Sequence, residues 1–392
     1  MALSLALILI AAFFINEILT KLKIPGLLGM ILLGVILGPY GYNKIDENLL
    51  AISGDLRLIA LIIILLRAGF GIKKAELNAV RREVVKMSCI PGILEGFTVA
   101  LASMKLLDFT FIQGGILGFI IAAVSPAVIV PKMLEFQSLK RGTEKKIPTI
   151  ILAGASVDDV FAITIFTSFL ALYGGKSVNI LRNILSIPLS IFLGIGIGGG
   201  IGFILVKFFK RYRMRDTKKV ILLLALAILF HGMEKFISKN YHLEIASLLG
   251  IMTIGFVILE MLPNVGSRLS LKFNKAWVFA EIILFVLVGA QVNIGVALDS
   301  GMVGIMILFL GLLARSFGVY ISLLGTDLNL KEKIFTMVAY MPKATVQAAI
   351  GAIPLSAGVA SGEIILAIAV LAILLTAPLG AASIDYFGKR FL

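Results

Sequence analysis

The chain has 392 residues, of which 59% are hydrophobic and only 15% are charged, and its mean hydropathy is +1.06. Soluble domains are nearer about 45–50% apolar and about 25% charged, so the composition excludes a soluble domain. The apolar residues form blocks of about 20 residues, the length of a membrane-spanning helix, and not the short alternating segments of a membrane β-barrel. The sequence therefore predicts an all-α polytopic membrane protein.

Cysteine and histidine usage argues against a disulfide scaffold and a bound metal cofactor. The single cysteine, Cys89, has no partner for an intrachain disulfide, and the two histidines, His231 and His242, show no metal-ligand spacing. Residues 1–15 are apolar but lack a basic leading stretch and a small-residue cleavage site, so we interpret them as a retained span and not a signal peptide. We expect no cofactor.

The hydropathy pattern predicts about thirteen spans. In chain order they cover residues 1–19, 24–40, 55–71, 88–105, 112–131, 148–172, 184–206, 219–237, 243–261, 276–298, 301–324, 333–354 and 363–384. Of the 36 basic residues, 26 lie in the odd-numbered loops and the C-terminal tail, 7 lie in or beside the even-numbered loops, and 3 lie within spans. By the positive-inside rule, this alternation places the N-terminus outside and the C-terminus in the cytoplasm. The net charge of +14 therefore reflects topology, and no nucleic-acid partner is expected.

Two segments 221 residues apart resemble each other, LRLIALIIILLRAGFGIKKAEL at 56–77 and WVFAEIILFVLVGAQVNIGVAL at 277–298. They start on opposite sides of the predicted membrane, because their span numbers, three and ten, differ by an odd number. The chain is therefore expected to contain an inverted repeat, the plan of many secondary transporters.

The fifth and twelfth spans, which the same offset relates, are both interrupted by proline. Span five contains Ser125, Pro126 and Pro131, and span twelve contains Pro342 followed by Thr345. Proline frees backbone carbonyls, which are tolerated at membrane depth only where protein or a wet cavity satisfies them. Paired breaks in corresponding halves predict a binding site near the membrane midplane.

Five ionisable residues lie deep inside the predicted spans: Glu95, Asp158, Asp159, Arg315 and Lys343. Each costs about 2.5–3.5 kcal/mol even on the lenient insertion scale, so such residues are functional by default. The adjacent aspartates point about 100° apart on a helix and cannot share one proton face to face. We expect Arg315 to pair with one of them and Lys343 to pair with Glu95. The other aspartate is then free to bind a dehydrated monovalent cation or a proton.

Oxygen ligands suit such a hard cation, and the freed carbonyls with Ser125, Ser156 and Thr345 could complete its shell. Competition between cation and proton at one carboxylate is sufficient for exchange. The alternative interpretation of the two aspartates is a salt-bridged pair that only holds the helices together.

Four motifs resemble one known family. They are IPGLLGMILLGVILGP at 24–39, VSPAVIVPKM at 124–133, GASVDDVFAI at 154–163 and MPKATVQAAIG at 341–351. Together with the span pattern, they resemble the cation:proton antiporter superfamily with the NhaA/NapA fold across essentially the whole chain. The branch most similar includes the animal mitochondrial and plasma-membrane sodium–proton exchangers and their bacterial relatives.

The resemblance implies two crossing broken helices and a homodimer in the cell membrane. It further implies a core domain, residues 55–183 and 276–392, that moves like an elevator against a scaffold domain, residues 1–54 and 184–275. The expected activity is exchange of protons for Na⁺, with Li⁺ or K⁺ left open.

Residue by residue, the resemblance matches Asp159 to the acid that binds Na⁺ and protons. Asp158 matches the acid that pairs with a basic residue of the eleventh span, here Arg315, where many bacterial electrogenic members have lysine. Lys343 and Glu95 match the second buried pair of the animal-like branch. Because an arginine does not readily release a proton, electroneutral exchange is also open.

Three other functions remain as alternatives. A sodium-coupled symporter of organic anions would need a roomy polar cavity. An intramembrane aspartyl protease would need carboxylates that meet from different elements, which adjacent residues do not supply. An ion channel would lack proton dependence, and no selectivity-filter motif is present.

Overall fold

The computed structural model describes residues 1–21, 26–174, 180–241, 245–291, 295, 301–351 and 353–392. Helices joined by short loops make up these residues, and none of them lies in a strand. In chain order the helices are α1 (Ala2–Lys21), α2 (Gly26–Leu37), α3 (Glu47–Ala51), α4 (Ser53–Gly69), α5 (Lys74–Ala79), α6 (Arg81–Leu106), α7 (Phe111–Ile121), α8 (Pro126–Ser138), α9 (Ile147–Tyr173), α10 (Ile180–Arg211), α11 (Asp216–Tyr241), α12 (Ser247–Met261), α13 (Pro263–Gly289), α14 (Gly301–Ser322), α15 (Leu330–Ala339), α16 (Thr345–Ile350), α17 (Ile353–Ser356) and α18 (Gly362–Phe391).

The all-helical membrane architecture predicted from composition is confirmed. Within the described residues, seven segments are long and apolar enough to cross a membrane. They are Ala2–Leu19, Arg81–Leu106, Phe111–Ser138, Ile147–Tyr173, Pro188–Arg211, Gly301–Ser322 and Gly362–Phe391. The count of thirteen spans stays a prediction. His242 and parts of the second, ninth, tenth and twelfth predicted spans lie outside the described residues.

The two proline-interrupted spans are broken helices that lie against each other. One break separates α7 from α8 and the other separates α15 from α16. Pro126 is the first residue of α8, where its missing N–H leaves no intrahelical bond unmade. The backbone N–H of Ser125 donates to the carbonyl oxygen of Pro342 at 2.9 Å, so the two non-helical segments are joined directly.

The helices pack in two groups. The crossing group consists of α6–α9 and α14–α18, in which α6 packs along α7, α9 and α14. Here a methyl group on Gly118 would lie 2.1 Å from the carbonyl oxygen of Gly96, so only glycine permits this approach of α7 to α6. The flanking group consists of α1, α2, α4 and α10–α13, in which α4 packs between α12 and α13. The ionisable residues of the candidate site all belong to the crossing group.

Candidate functional site

The five ionisable residues singled out in the sequence meet where the two broken helices cross. Glu95 lies on α6, Asp158 and Asp159 lie on α9, Arg315 lies on α14, and Lys343 lies in the break before α16. Glu95, Arg315 and Lys343 are fully buried, Asp158 is 1% exposed and Asp159 is 7% exposed. A charge buried this deeply needs hydrogen-bonded partners of opposite charge.

Arg315 supplies most of those partners. Its guanidinium donates to Asp158 Oδ2 at 2.7 Å and to Glu95 Oε2 at 2.6 Å. It also donates to the carbonyl oxygen of Tyr340 at 2.6 Å and to that of Ala122. These two carbonyls stand at the C-terminal ends of α15 and α7, which carry partial negative charge. One planar cation therefore donates to two carboxylates and to two helix ends.

Lys343 forms the second buried pair. Its ammonium group lies 2.6 Å from Glu95 Oε2, and its backbone N–H donates to Thr376 Oγ1 at 2.8 Å. The expected contacts of Asp158 with Arg315 and of Glu95 with Lys343 are thus both present. The structure adds a contact that the sequence reasoning missed, because one Glu95 oxygen accepts from Arg315 as well as from Lys343.

The backbone carbonyls freed by the breaks are engaged with side chains. Besides the bond of Ala122 to Arg315, the amide of Gln347 donates to Ile120 O at 3.0 Å and to Ala123 O at 2.8 Å. Each of these carbonyls therefore already accepts a hydrogen bond, and their part in a cation shell stays a prediction. Gln347 was missed by sequence reasoning; the available signal was an amide inside a span, close after a proline break.

The two adjacent aspartates have different surroundings. Asp158 accepts from Arg315 and from the backbone N–H of Val124, which lies 3.2 Å from Asp158 Oδ2. Asp159, one residue and about 100° further round α9, has a buried Oδ1 with no hydrogen-bond partner. Among these five residues, the positive charges of Arg315 and Lys343 offset the negative charges of Glu95 and Asp158. Asp159 is the remaining acid, with no counter-charge in this set.

A cavity of about 570 Å³ reaches Asp159 from one membrane face. Beside the carboxylate it is lined by Ser156 and Thr345. Ser156 Oγ lies 3.2 Å from the sulfur of Met252 on α12, so the cavity runs between the crossing and flanking groups. Its other end lies where α4 begins and α11 ends, the face of the even-numbered loops.

The remaining predicted shell residues lie outside this cavity. Ser125 is fully buried, and its hydroxyl oxygen lies 3.5 Å from that of Thr345, so it supports the lining and does not form it. Pro131 lines a separate cavity of about 330 Å³, beside Lys132 and Glu281. Pro126 and Pro342 shape the two breaks.

Known proteins resemble this chain over nearly its whole length. Residues 5–387 match the transmembrane sodium/hydrogen exchanger family. Human sodium/hydrogen exchanger 9B2 is 34% identical over an alignment that covers 94% of this chain and 70% of that protein. Human sodium/hydrogen exchanger 9B1 is 31% identical, with 94% and 73% covered.

A solved structure shares the fold. It is that of the sodium proton antiporter MjNhaP1 from Methanocaldococcus jannaschii at pH 8, with a TM-score of 0.82, 20% identity, and 99% of this chain and 97% of that chain covered. At this identity the likeness shows the fold alone. The family match and the 9B relatives show more: the chain belongs to the sodium/hydrogen exchanger family of the cation:proton antiporter superfamily.

Proposed function

We propose that this membrane protein exchanges protons for monovalent cations, with Na⁺ as the cation, through alternate occupation of the Asp159 carboxylate. One observation carries the proposal. Among the five buried ionisable residues, Asp159 alone lines the cavity. The printed names of the 9B relatives and of MjNhaP1 support Na⁺ as the cation.

Exchange follows from the cost of an unneutralised charge. A bare carboxylate that leaves the wet cavity for a drier environment loses its hydration, which costs several kcal/mol. Once Asp159 binds either a cation or a proton, that charge is neutralised and the site is able to reorient. Hydroxyl oxygens of Ser156 and Thr345, which line the same cavity, are suitable further ligands for a hard cation. The site therefore crosses loaded with one ion or the other.

An organic-anion symporter is the second candidate, and the charge of the cavity argues against it. Three carboxylates line the cavity and are opposed by one arginine. They are Asp55, Asp159 and Glu234, and the arginine is Arg57. Such a surface attracts cations and repels an organic anion.

Arg315 and Asp158 hold the geometry in this proposal and do not carry the ion. Arg315 remains protonated in proteins, so the pair has no exchangeable proton. With Glu95 held by two bases, one acid per protomer remains to exchange ions. We therefore propose a ratio of one cation to one proton, which moves no net charge.

The movement is proposed to be of the elevator type, in a homodimer with its N-terminus outside and its C-terminus in the cytoplasm of the cell. The packing favours a division that differs from the one implied by the resemblance. Helices α4 and α13 pack against α12 and α2 of the flanking group. We therefore propose that the crossing group moves and that α4 and α13 remain with the scaffold.

Asp159→Asn tests the function itself. The amide keeps the size of the side chain but binds neither a proton nor a cation as a carboxylate does. We expect loss of Na⁺-driven proton flux in proteoliposomes, with the elution profile and melting temperature of the wild-type protein. Asp327→Asn, which removes a carboxylate from an exposed loop, is the control and retains full exchange. Wild-type flux in Asp159→Asn would refute the mechanism.

Arg315→Ala tests the structural role of the buried network. It leaves Asp158, Glu95 and two carbonyls without their donor, and loss of one partner of a buried ion pair costs about 3–5 kcal/mol. Arg268→Ala is the control: Arg268 is 53% exposed and pairs with Asp216 on the surface, where such a pair contributes about 0–1 kcal/mol. In detergent, the melting temperature should fall markedly for Arg315→Ala. It should stay near the wild-type value for Arg268→Ala. Equal melting temperatures for the two variants would contradict the network.

The one-to-one ratio predicts no steady current. On a solid-supported membrane, a Na⁺ jump should give a pH change inside the proteoliposomes without sustained charge movement, and a clamped membrane potential should not alter the rate. Repeating the jump with Li⁺ and K⁺ defines the cation range. A sustained Na⁺-dependent current abolished by Asp159→Asn would replace this ratio with an electrogenic one.

A disulfide between the two helix groups tests the proposed movement. With Cys89 replaced by serine, cysteines at Ser156 and Met252 would connect α9 to α12, whose side chains there lie 3.2 Å apart. Oxidation should stop exchange and reduction should restore it. The control pair replaces Gly202 and Val257 on α10 and α12 within the flanking group, where a Cβ on Gly202 would lie 3.0 Å from that of Val257, close to the spacing of a disulfide. Undiminished exchange in the cross-linked Ser156–Met252 protein is the result that excludes the movement.

A further inference from the structure

The outer part of the 570 Å³ cavity contains a second polar cluster, formed by His231 and Glu234 of α11 and Ser247 of α12. Ser247 Oγ donates to Glu234 Oε2 at 2.5 Å and lies 2.9 Å from His231 Nδ1. Because the hydroxyl proton is given to Glu234, the proton of this second bond must come from His231 Nδ1. The serine therefore couples the imidazole to the carboxylate.

The cluster lies on the way from the membrane face to Asp159. Both line one continuous cavity. Met252, which contacts Ser156 beside Asp159, follows Ser247 by five residues on α12, or about 7.5 Å of helix rise. An ion that enters from this face therefore passes the cluster about one and a half turns before it reaches the carrier carboxylate.

The charges that face the cluster make Glu234 suited to hold a cation. The titratable and charged groups that line the cavity are Asp55 and Arg57 on α4, Asp159 on α9, and His231 and Glu234 on α11. Helices α10, α12 and α13 contribute only uncharged side chains among the described lining residues.

Arg57, the arginine of this lining, is engaged with Gln291 and the carbonyl oxygen of Ser53. No described lysine or arginine lies within 4.0 Å of the Glu234 carboxylate, which is 25% exposed.

We propose that Glu234, held by Ser247, is an outer cation-binding site that captures a monovalent cation for Asp159, and that protonation of His231 weakens it. His231 Nδ1 lies 3.2 Å from Glu234 Oε2, so a second proton on the imidazole places a positive charge beside the site. Cation capture is then stronger when the adjoining solution is neutral than when it is acidic. The inference rests on the proposed antiport.

The first test compares Glu234→Gln with Asp108→Asn in proteoliposomes of known orientation. Asp108 is exposed at the same membrane face but does not line the cavity, so it controls for the lost surface charge. With Na⁺ added at this face, we expect the half-saturating concentration to rise roughly two- to fivefold in Glu234→Gln alone, the effect of one nearby charge in a wet site. With Na⁺ added at the opposite face, neither variant should change the half-saturating concentration. Neither variant should change the maximal rate.

The second test concerns His231→Gln. In the wild-type protein, the half-saturating Na⁺ concentration should rise when this face is acidified from about pH 7.5 to about pH 5.5. Proton competition at Asp159 contributes to that rise in both proteins. In His231→Gln the rise should be roughly two- to fivefold smaller, because the second positive charge is absent. Asp108→Asn, which leaves the cluster intact, is the control and should show the wild-type rise.

Equal half-saturation in Glu234→Gln and Asp108→Asn, or a change that appears at the opposite face as well, overturns the outer site. If Glu234→Gln does not fold, Glu234→Asp, which keeps the charge but withdraws it from Ser247, must still show the rise. If Asp159→Asn loses exchange and Glu234→Gln keeps the wild-type half-saturating Na⁺ concentration, only the outer site is refuted. Absence of exchange in the wild-type protein refutes the antiport and this site together.

Discussion

The guanidinium of Arg315 joins four elements of the candidate site. It contacts carboxylates on α6 and α9 and the carbonyl ends of both α7 and α15, all inside a membrane-embedded core. Without this cation, Asp158 would keep only the backbone N–H of Val124 and Glu95 only Lys343. Two helix ends would lose a donor as well, and each loss costs energy at membrane depth. The broken helices, which create the candidate site, therefore depend on one arginine.

The inverted repeat predicted from the sequence agrees with the pairing of the buried residues. Glu95 and Arg315, which contact each other, are 220 residues apart, and so are Ser125 and Thr345. This separation is almost the 221-residue offset of the predicted repeat, so positions that the repeat relates lie next to each other. One half contributes the acid and the other the base, which makes the halves complementary. Asp159 breaks the symmetry, because position 379, which the 220-residue offset relates to it, is the apolar and exposed Leu379.

The sequence predicted the features that arise where a residue lies in an energetically unfavourable environment inside a membrane span. Charges inside spans and prolines inside helices are costly, so Glu95, Arg315 and the two breaks were recognisable without a structure. Contacts that depend on packing were not: the sharing of Glu95 between two bases, and the use of Gln347 to satisfy freed carbonyls. The cluster of His231, Glu234 and Ser247 was not predicted either, since residues near span ends are ordinarily interfacial. Only the packing of α11 and α12 beside the cavity brings these three residues into contact.

This arrangement separates permanent charge from exchangeable charge. Glu95, Asp158, Arg315 and Lys343 balance one another and fix the geometry of the crossing helices. Asp159 is the one of the five buried ionisable residues that lines the cavity, and we propose that it exchanges the ions. In the proposed mechanism, its neutralisation by a cation or a proton decides when the crossing group is able to move. The proposed outer cluster affects only how readily a cation arrives. A substitution in the cluster would therefore change apparent affinity at one face, and a substitution at Asp159 would change whether exchange occurs at all.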